Sequence, residues 1–129
     1  MSDVKLYRKQ DQHFRFEGEN PESHRAFVNA GNSSTMGGGM SVFGAGCDYE
    51  WTVTYDEILF IHDGNLKLKV GDEVFSAGPG DTFWIPRDTT VTYLAEEDVW
   101  FFFAVFPATS SPAASKVERY PDAPSQNWT

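Results

Sequence analysis

Two short stretches decide the fold of this chain: Tyr55-Asp-Glu-Ile-Leu-Phe-Ile-His-Asp-Gly64 and Gly80-Asp-Thr-Phe-Trp-Ile-Pro86. In the first, six residues separate Glu57 from Gly64, and in the second Pro86 follows Asp81 by five positions. Fifteen residues lie between the two stretches. Each stretch is a strand-length apolar run that ends at turn-forming residues, so both are predicted to be β-strands of one sheet structure.

The rest of the sequence has the same character from Met40 onward. Short apolar or alternating segments recur as far as Phe106, and turn formers such as Gly71-Asp72 separate them. Evenly spaced short strands without an amphipathic helix predict an all-β sandwich or barrel. We predict three parts: an N-terminal arm with the first strand or strands and a Gly/Ser/Asn-rich loop (1–35), a barrel (36–108), and an extended proline-bearing C-terminal arm (109–129).

Length and charge exclude several classes of protein. A chain of 129 residues suits one domain with a single core. Its formal charge of −9 argues against binding nucleic acid through phosphates. Cys47 is the only cysteine, and neither a signal peptide nor a membrane-spanning run is evident, so we expect a cytoplasmic protein without a membrane partner. Exposed sheet edges and the two arms favour a homodimer.

The two motifs resemble those of the cupin superfamily, whose fold is a double-stranded β-helix, a jelly-roll barrel. Further residues make the chain similar to the cupin domain of the ethanolamine-utilisation Q (EutQ-like) proteins over residues 36–108. These residues are Trp51-Thr52, Tyr55-Asp56-Glu57, Gly64, Gly80-Asp81, Ile85-Pro86 and Phe106-Pro107-Ala108. The resemblance implies a single barrel, and we expect the leading domain of the longer members to be missing.

The resemblance also locates the histidines of a metal-binding cupin. At those three places this chain has Glu50, Thr52 and Val91, together with the motif glutamate, Glu57. Catalytic zinc, iron, copper and nickel sites depend mainly on imidazole and thiolate ligands. We therefore predict no metal ligands and no cofactor.

A metal site with atypical ligands is the alternative. His13 or His24, from the same subunit or a partner, would complete it together with Glu50 and Glu57. Two histidines and two carboxylates are an acceptable ligand set for zinc, iron or manganese. This alternative predicts at most a weak divalent metal.

In a cupin the glutamate of the first motif points into the barrel, so the resemblance implies that Glu57 faces the cavity. The period of two in a strand then turns Leu59 and Ile61 inward and His62 outward. We predict an acid/base pair of Glu57 and Glu50, with at least one raised pKa, and Tyr55 as a hydroxyl donor. The alternative is a solvated Glu50, with Glu57 paired to Arg87 or a lysine.

Further residues are predicted to hold the ligand on an aromatic wall with a few polar groups. These substrate-binding residues are Trp51, Thr52, Trp84, Val91 and Tyr93.

Several functions fit these residues. The first is metal-independent acid/base chemistry of the lyase, isomerase or dehydratase type on a small polar metabolite. The second is a non-catalytic domain that binds a small molecule or acts as a scaffold. The resemblance implies a third, acetate kinase activity, although the glycines at 37–39 lack the Gly-Lys-Ser/Thr ending of a phosphate loop. The fourth is a metal-dependent cupin enzyme with atypical ligands.

Overall fold

The computed structural model describes residues 4–14 and 21–107, and the backbone of 126–127. In these residues the chain forms β-strands and one short 3₁₀ helix, Lys9–Asp11. The strands are β1 (His13–Phe14), β2 (Glu22–Val28), β3 (Gly37–Phe43), β4 (Asp48–Thr52), β5 (Asp56–Asp63), β6 (Leu66–Val70), β7 (Glu73–Ala77), β8 (Thr82–Ile85), β9 (Thr90–Leu94), β10 (Val99–Phe106) and β11 (Gln126–Asn127). The all-β prediction is confirmed. None of the described residues belongs to a helix that could cross a lipid bilayer.

Two antiparallel sheets enclose the core. One has five strands in the order β2-β3-β10-β5-β8, and the other has four in the order β4-β9-β6-β7. A small third sheet joins β1 to β11. Strand β2 lies in the predicted N-terminal part, 1–35. It forms an edge strand of the five-stranded sheet. Of the predicted C-terminal arm, 109–129, only the backbone of 126–127 lies within the described residues.

Strand β5 shows how the sequence specifies the core. Glu57, Leu59 and Ile61 are buried, whereas the residues between them and His62 are exposed. The alternation predicted for this strand is therefore confirmed. Because successive side chains of a strand point to opposite faces, one register fixes both the core face and the outer face.

Glycine occupies two turns of the barrel for different reasons. Gly64 follows β5 with φ of 85°, and a Cβ built there would lie 2.4 Å from the carbonyl oxygen of Asp98. Both the left-handed backbone and the close approach of another chain segment exclude a side chain. Gly71 also has a positive φ, 61°, but open space surrounds it. With Asp72 it forms the two-residue turn of a hairpin between β6 and β7, where the sequence predicts a turn.

A second apolar cluster lies on the outer side of the five-stranded sheet. Phe14 of β1 packs there with Met40, Val42 and Trp100. The N-terminal segment therefore covers one part of the outer face of this sheet. The main core lies on the other side, between the two large sheets.

Candidate functional site

A cavity lies on the inner face of the five-stranded sheet. Its volume is about 40 Å³, room for about three water molecules at ~10–15 Å³ each. Most of the lining side chains are aromatic. The lining residues are His24, Ser41, Phe43, Tyr49, Trp51, Tyr55, Glu57, Leu59, Tyr93, Phe101 and Phe103.

Part of the wall is only half-buried. Tyr49 and Trp51 stack with ring centroids 5.6 Å apart, and both keep some surface in solvent, as does His24. The other lining side chains are buried. A ligand would therefore reach the cavity beside these three residues.

Glu57 is the acidic group of the cavity. Its side chain is 5% exposed, and the Tyr93 hydroxyl donates a long hydrogen bond of 3.4 Å to Oε1. Burial raises the pKa of Glu57 to about 8, and the bond from Tyr93 offsets only part of that rise. Removal from water disfavours the charged form of a carboxyl. At neutral pH Glu57 is therefore mostly protonated and can donate a hydrogen bond or a proton.

Two tyrosines of the cavity wall keep their hydroxyl protons. Burial, followed by the charge of Glu57, raises the pKa of Tyr93 well above its ordinary value. Burial, followed by the charge of Glu22, raises the pKa of Tyr49. Both hydroxyls are thus donors rather than phenolates across the physiological pH range.

His24 lies on β2, an edge strand of the same sheet. Its Nδ1 lies 2.6 Å from Oγ of Ser41, its cross-strand partner, and its Nε2 lies 3.4 Å from Oε1 of Glu22. The imidazole also meets Phe43 and Phe103 edge-on. If Glu22 is ionised and accepts from Nε2–H, Nδ1 accepts the hydroxyl proton of Ser41. Polar contacts on both ring nitrogens fix the orientation of the ring.

The structure brings together four of the predicted site residues. Glu57, Tyr55, Trp51 and Tyr93 all line the cavity. Arg87 does not pair with Glu57: its backbone N–H donates to Asp56, and Glu57 bonds to Tyr93 instead.

Glu50 does not join Glu57, so the predicted carboxylate pair is absent. Glu50 is exposed on β4, while its neighbours Tyr49 and Trp51 turn inward. Seven positions separate the two glutamates. That odd spacing places them on opposite faces as long as the alternation continues. From Tyr49 to Ile61 every odd-numbered residue is at least half-buried. The alternation of side chains therefore continues from β4 into β5, and Glu50 faces away from the cavity.

Three predicted substrate-binding residues also lie outside the cavity wall. Thr52 is exposed, and its hydroxyl lies 2.7 Å from that of Thr90 on the neighbouring strand. Trp84 is 62% exposed on the outer side of β8, because it shares the face of Ile58. Val91 is buried in the main core but does not line the cavity.

The donor atoms around the cavity do not fit a metal ion of the cupin type. In residues 4–14 and 21–107, no three His, Cys, Asp or Glu side chains come close enough to share an ion. His24 and Glu57 line the cavity, but His13 and Glu50 do not. Catalytic zinc sites use three protein ligands.

Sequence reasoning missed most of the cavity wall, including the place of His24 in it. The sequence predicted His24 only as a possible metal ligand. It gave no prediction for five other lining residues: Ser41, Phe43, Tyr49, Phe101 and Phe103. The spacing of Glu22 and His24, two residues apart in a strand, was the available signal, because it places both side chains on one face. Ser41 carried no such signal, since its position opposite His24 depends on strand pairing.

Comparison with known proteins agrees with this fold. Residues 1–111 match the family model described as ethanolamine utilisation protein EutQ. A relative from Clostridioides difficile (strain 630), acetate kinase EutQ, is 28% identical over 60 residues, which are 46% of this chain and 38% of that protein. The chain thus matches well under half the length of this curated relative.

Solved structures agree on the fold. A putative ethanolamine utilization protein q from Salmonella typhimurium LT2 has a TM-score of 0.68 and 23% identity, over 74% of this chain and 80% of that one. An RmlC-like cupin from Shewanella frigidimarina NCIMB 400 has a TM-score of 0.65 and 14% identity, over 84% of this chain and 95% of that one. The cupin jelly-roll fold is therefore confirmed.

Proposed function

The chain belongs to the ethanolamine utilisation protein EutQ family, and from that premise we propose that it binds a small polar metabolite in the cavity and catalyses proton transfer on it. The reaction would be of the lyase, isomerase or dehydratase type. One observation carries this proposal: Glu57 is a buried carboxyl, protonated at neutral pH, on the wall of a cavity. Enzymes that run acid catalysis near pH 7 raise a carboxyl pKa in this way.

His24 supplies the matching base in place of Glu50. It lines the same cavity as Glu57, and Glu22 and Ser41 hold its ring. A histidine is the commonest general base because the ordinary pKa of this residue type lies near neutrality. An acid and a base on one cavity wall suit a reaction in which one proton leaves the substrate as another arrives.

The chemistry would be carried by these two groups. Oγ of Ser41 takes the proton from a carbon next to a carbonyl group while its own hydroxyl proton passes to Nδ1 of His24. The C–H electron pair forms the carbon–carbon double bond of an enol. Glu57 gives its proton to the carbonyl oxygen as that double bond forms. In an isomerisation the proton held by His24 returns through Ser41 to the former carbonyl carbon, and the Glu57 carboxylate takes the hydroxyl proton of the neighbouring carbon as the new carbonyl forms. In a dehydration the proton held by His24 leaves with a β-hydroxyl as water, and Glu57 takes back the enol proton as the carbonyl re-forms.

The wall also favours one class of ligand. Its polar groups are hydroxyls, one imidazole and a protonated carboxyl, and no lysine or arginine is among the described lining residues. Such a wall suits an uncharged hydroxy-carbonyl compound of few atoms better than a phosphate, since phosphates are recognised by cationic groups and backbone donors. The cavity volume of about 40 Å³ points to a small ligand as well.

Exchange of substrate hydrogen with D₂O tests the proposal without knowledge of the product. Small hydroxyketones and hydroxyaldehydes are incubated with the full chain, and loss of their C–H signals is followed by proton NMR. We expect catalysed exchange for at least one compound, with a loss of about 100-fold or more in both Glu57→Gln and His24→Gln.

Glu50→Gln is the matched control, because this carboxyl is exposed on the other face of β4. Its exchange rate should equal that of the wild type. Exchange that survives in Glu57→Gln would refute the role of the carboxyl. Binding of these compounds without exchange would favour the alternative of a non-catalytic binding domain.

Phosphoryl transfer is the second candidate, and the name of the C. difficile relative supports it. It requires groups that neutralise the transferred phosphate, usually Lys, Arg or Mg²⁺. No lysine or arginine side chain of the described part of the chain lines the cavity. Formation of acetyl phosphate from acetate and ATP by the purified chain would nevertheless establish it over the acid/base proposal.

A further inference from the structure

Three polar side chains form a connected row on the two strands at one edge of the five-stranded sheet. Glu22 and His24 lie two residues apart on β2, and Ser41 on β3 is the cross-strand partner of His24. Nδ1 of His24 lies 2.6 Å from Oγ of Ser41, and its Nε2 lies 3.4 Å from Oε1 of Glu22. The order of carboxylate, imidazole and hydroxyl is that of a catalytic triad, which is recognised by geometry and roles rather than by sequence position.

The row is shielded from water except at the imidazole. Ser41 is 1% exposed and Glu22 4%, whereas the side chain of His24 is 14% exposed. Phe43 and Phe103 meet the imidazole edge-on and help to hold it in place. Because little solvent competes for these polar atoms, the imidazole can take the proton of Ser41 while the carboxylate stabilises the imidazolium that forms.

Ser41 also faces a space that a ligand can enter. Both Ser41 and His24 line the cavity, and Glu22 lies behind the imidazole. A serine hydroxyl is a weak nucleophile until an adjacent base removes its proton, and that base is oriented in turn by a third group. The row supplies all three groups, so Oγ of Ser41 is equipped to attack a carbonyl carbon.

The cavity limits the compounds that Ser41 can attack. Its volume of about 40 Å³ suits an acyl group as small as acetyl. The leaving alcohol would lie at the half-buried side of the cavity, against the stacked rings of Tyr49 and Trp51. The hydroxyls of Tyr49 and Tyr93 belong to the same wall, and hydroxyl donors stabilise the negative oxygen that develops during acyl transfer.

We propose that Ser41 is the nucleophile of an esterase for small acyl esters, with His24 as its general base and Glu22 as the residue that positions the imidazole. Oγ of Ser41 bonds to the carbonyl carbon as its proton passes to Nδ1 of His24. The tetrahedral intermediate expels the alcohol, which leaves with that proton, and an acyl-Ser41 ester remains. Water then gives a proton to His24 and attacks this ester, and the carboxylic acid departs as Nδ1 returns the proton to Oγ.

Hydrolysis of p-nitrophenyl acetate by the full chain tests the nucleophile. We expect release of p-nitrophenol above the background rate and, after acid quenching, an acetyl group on Ser41 in peptide mass spectrometry. Ser41→Ala should abolish both signals, and His24→Gln should slow the release about 100-fold or more. Glu22→Gln should lower kcat at least about 10-fold with little change in KM, because this carboxylate acts through the imidazole and not on the ester.

Ser23→Ala is the matched control. Ser23 is a buried serine on the same strand, but it pairs with Val42 and turns to the outer side of the sheet. This variant should release p-nitrophenol at the wild-type rate. Acetylation of other residues without Ser41, or release that survives in Ser41→Ala, would refute the proposal.

The mass spectrum of the wild type needs no substitution, so it decides even if circular dichroism shows that Ser41→Ala does not fold. The inference does not rest on the proton transfer proposed for the cavity, because ester hydrolysis removes no proton from carbon. Failure of the D₂O exchange would leave acetylated Ser41 unaffected, and lack of acetylation at Ser41 would leave the exchange unaffected.

Discussion

Replacement of Glu57 by glutamine should change how stability depends on pH. The ordinary pKa of the carboxyl is 4.5, and burial raises the pKa of Glu57 in the folded protein to about 8. Between these values the folded state holds a proton that the unfolded state has lost. The wild type therefore becomes less stable as pH rises from 4.5 to about 8. The contribution of Glu57 to the free energy of unfolding is fully present below about pH 4.5, the pKa of this carboxyl in the unfolded chain.

The magnitude follows from the two pKa values. Each unit of pKa difference corresponds to about 1.4 kcal/mol, so ionisation of this one carboxyl in the unfolded state lowers stability by up to about 5 kcal/mol at alkaline pH. Between about pH 5.5 and pH 8.5 the change is roughly 3 kcal/mol. The glutamine side chain of the Glu57→Gln variant would be uncharged at every pH and would keep an oxygen that can accept from Tyr93.

Urea unfolding followed by circular dichroism measures this difference. The free energy of unfolding of Glu57→Gln, minus that of the wild type, should rise by roughly 3 kcal/mol from about pH 5.5 to pH 8.5. In Glu50→Gln, which alters an exposed carboxyl, the same difference should stay flat. A flat difference in Glu57→Gln would mean that Glu57 is ionised throughout, and the reasoning from burial would be refuted.

Three further changes test the surroundings. Tyr93→Phe removes the hydroxyl that bonds to Glu57, so the pKa of Glu57 should rise further and stability should fall by about 1 kcal/mol; a lower pKa in a carbon-13 NMR titration would contradict this. Gly64→Ala should cost about 2 kcal/mol more than Gly71→Ala in urea unfolding, because only the former meets backbone atoms; equal losses would discount that contact. Leu59→Ala should cost about 2–5 kcal/mol because Leu59 is fully buried beside the cavity, and a loss below about 1 kcal/mol in the same assay would show that the core collapses around the site.

The fold was predictable because its signals are local. Alternation in β5 and the glycine turns at Gly64 and Gly71 each follow from a few neighbouring residues. They agreed with one another and predicted an all-β sandwich or barrel without knowledge of distant contacts, and the resemblance of the two motifs to those of cupins implied the jelly roll. The inward direction of Glu57 followed from the resemblance, and the alternation then predicted the directions of Leu59, Ile61 and His62.

The site was less predictable because it depends on which strands are paired. Glu50 was placed in the cavity from its motif position, although its odd spacing from Glu57 predicts the opposite face. Trp84 was assigned to the wall because it is aromatic, but its register with Ile58 turns it outward. His24 reaches the site only because β2 pairs with β3, far from both motifs in the sequence.

Carbon-13 NMR titration of the glutamate side chains tests the central claim most directly. The carboxyl of Glu57 should keep its proton at neutral pH and titrate with a pKa of about 8. Loss of the titrating carbon signal in Glu57→Gln, and its retention in Glu50→Gln, assigns the signal to this side chain. If Glu57 instead titrates below about pH 5, as an ordinary carboxyl does, its cavity holds a carboxylate at neutral pH, and the proposed proton donor does not exist.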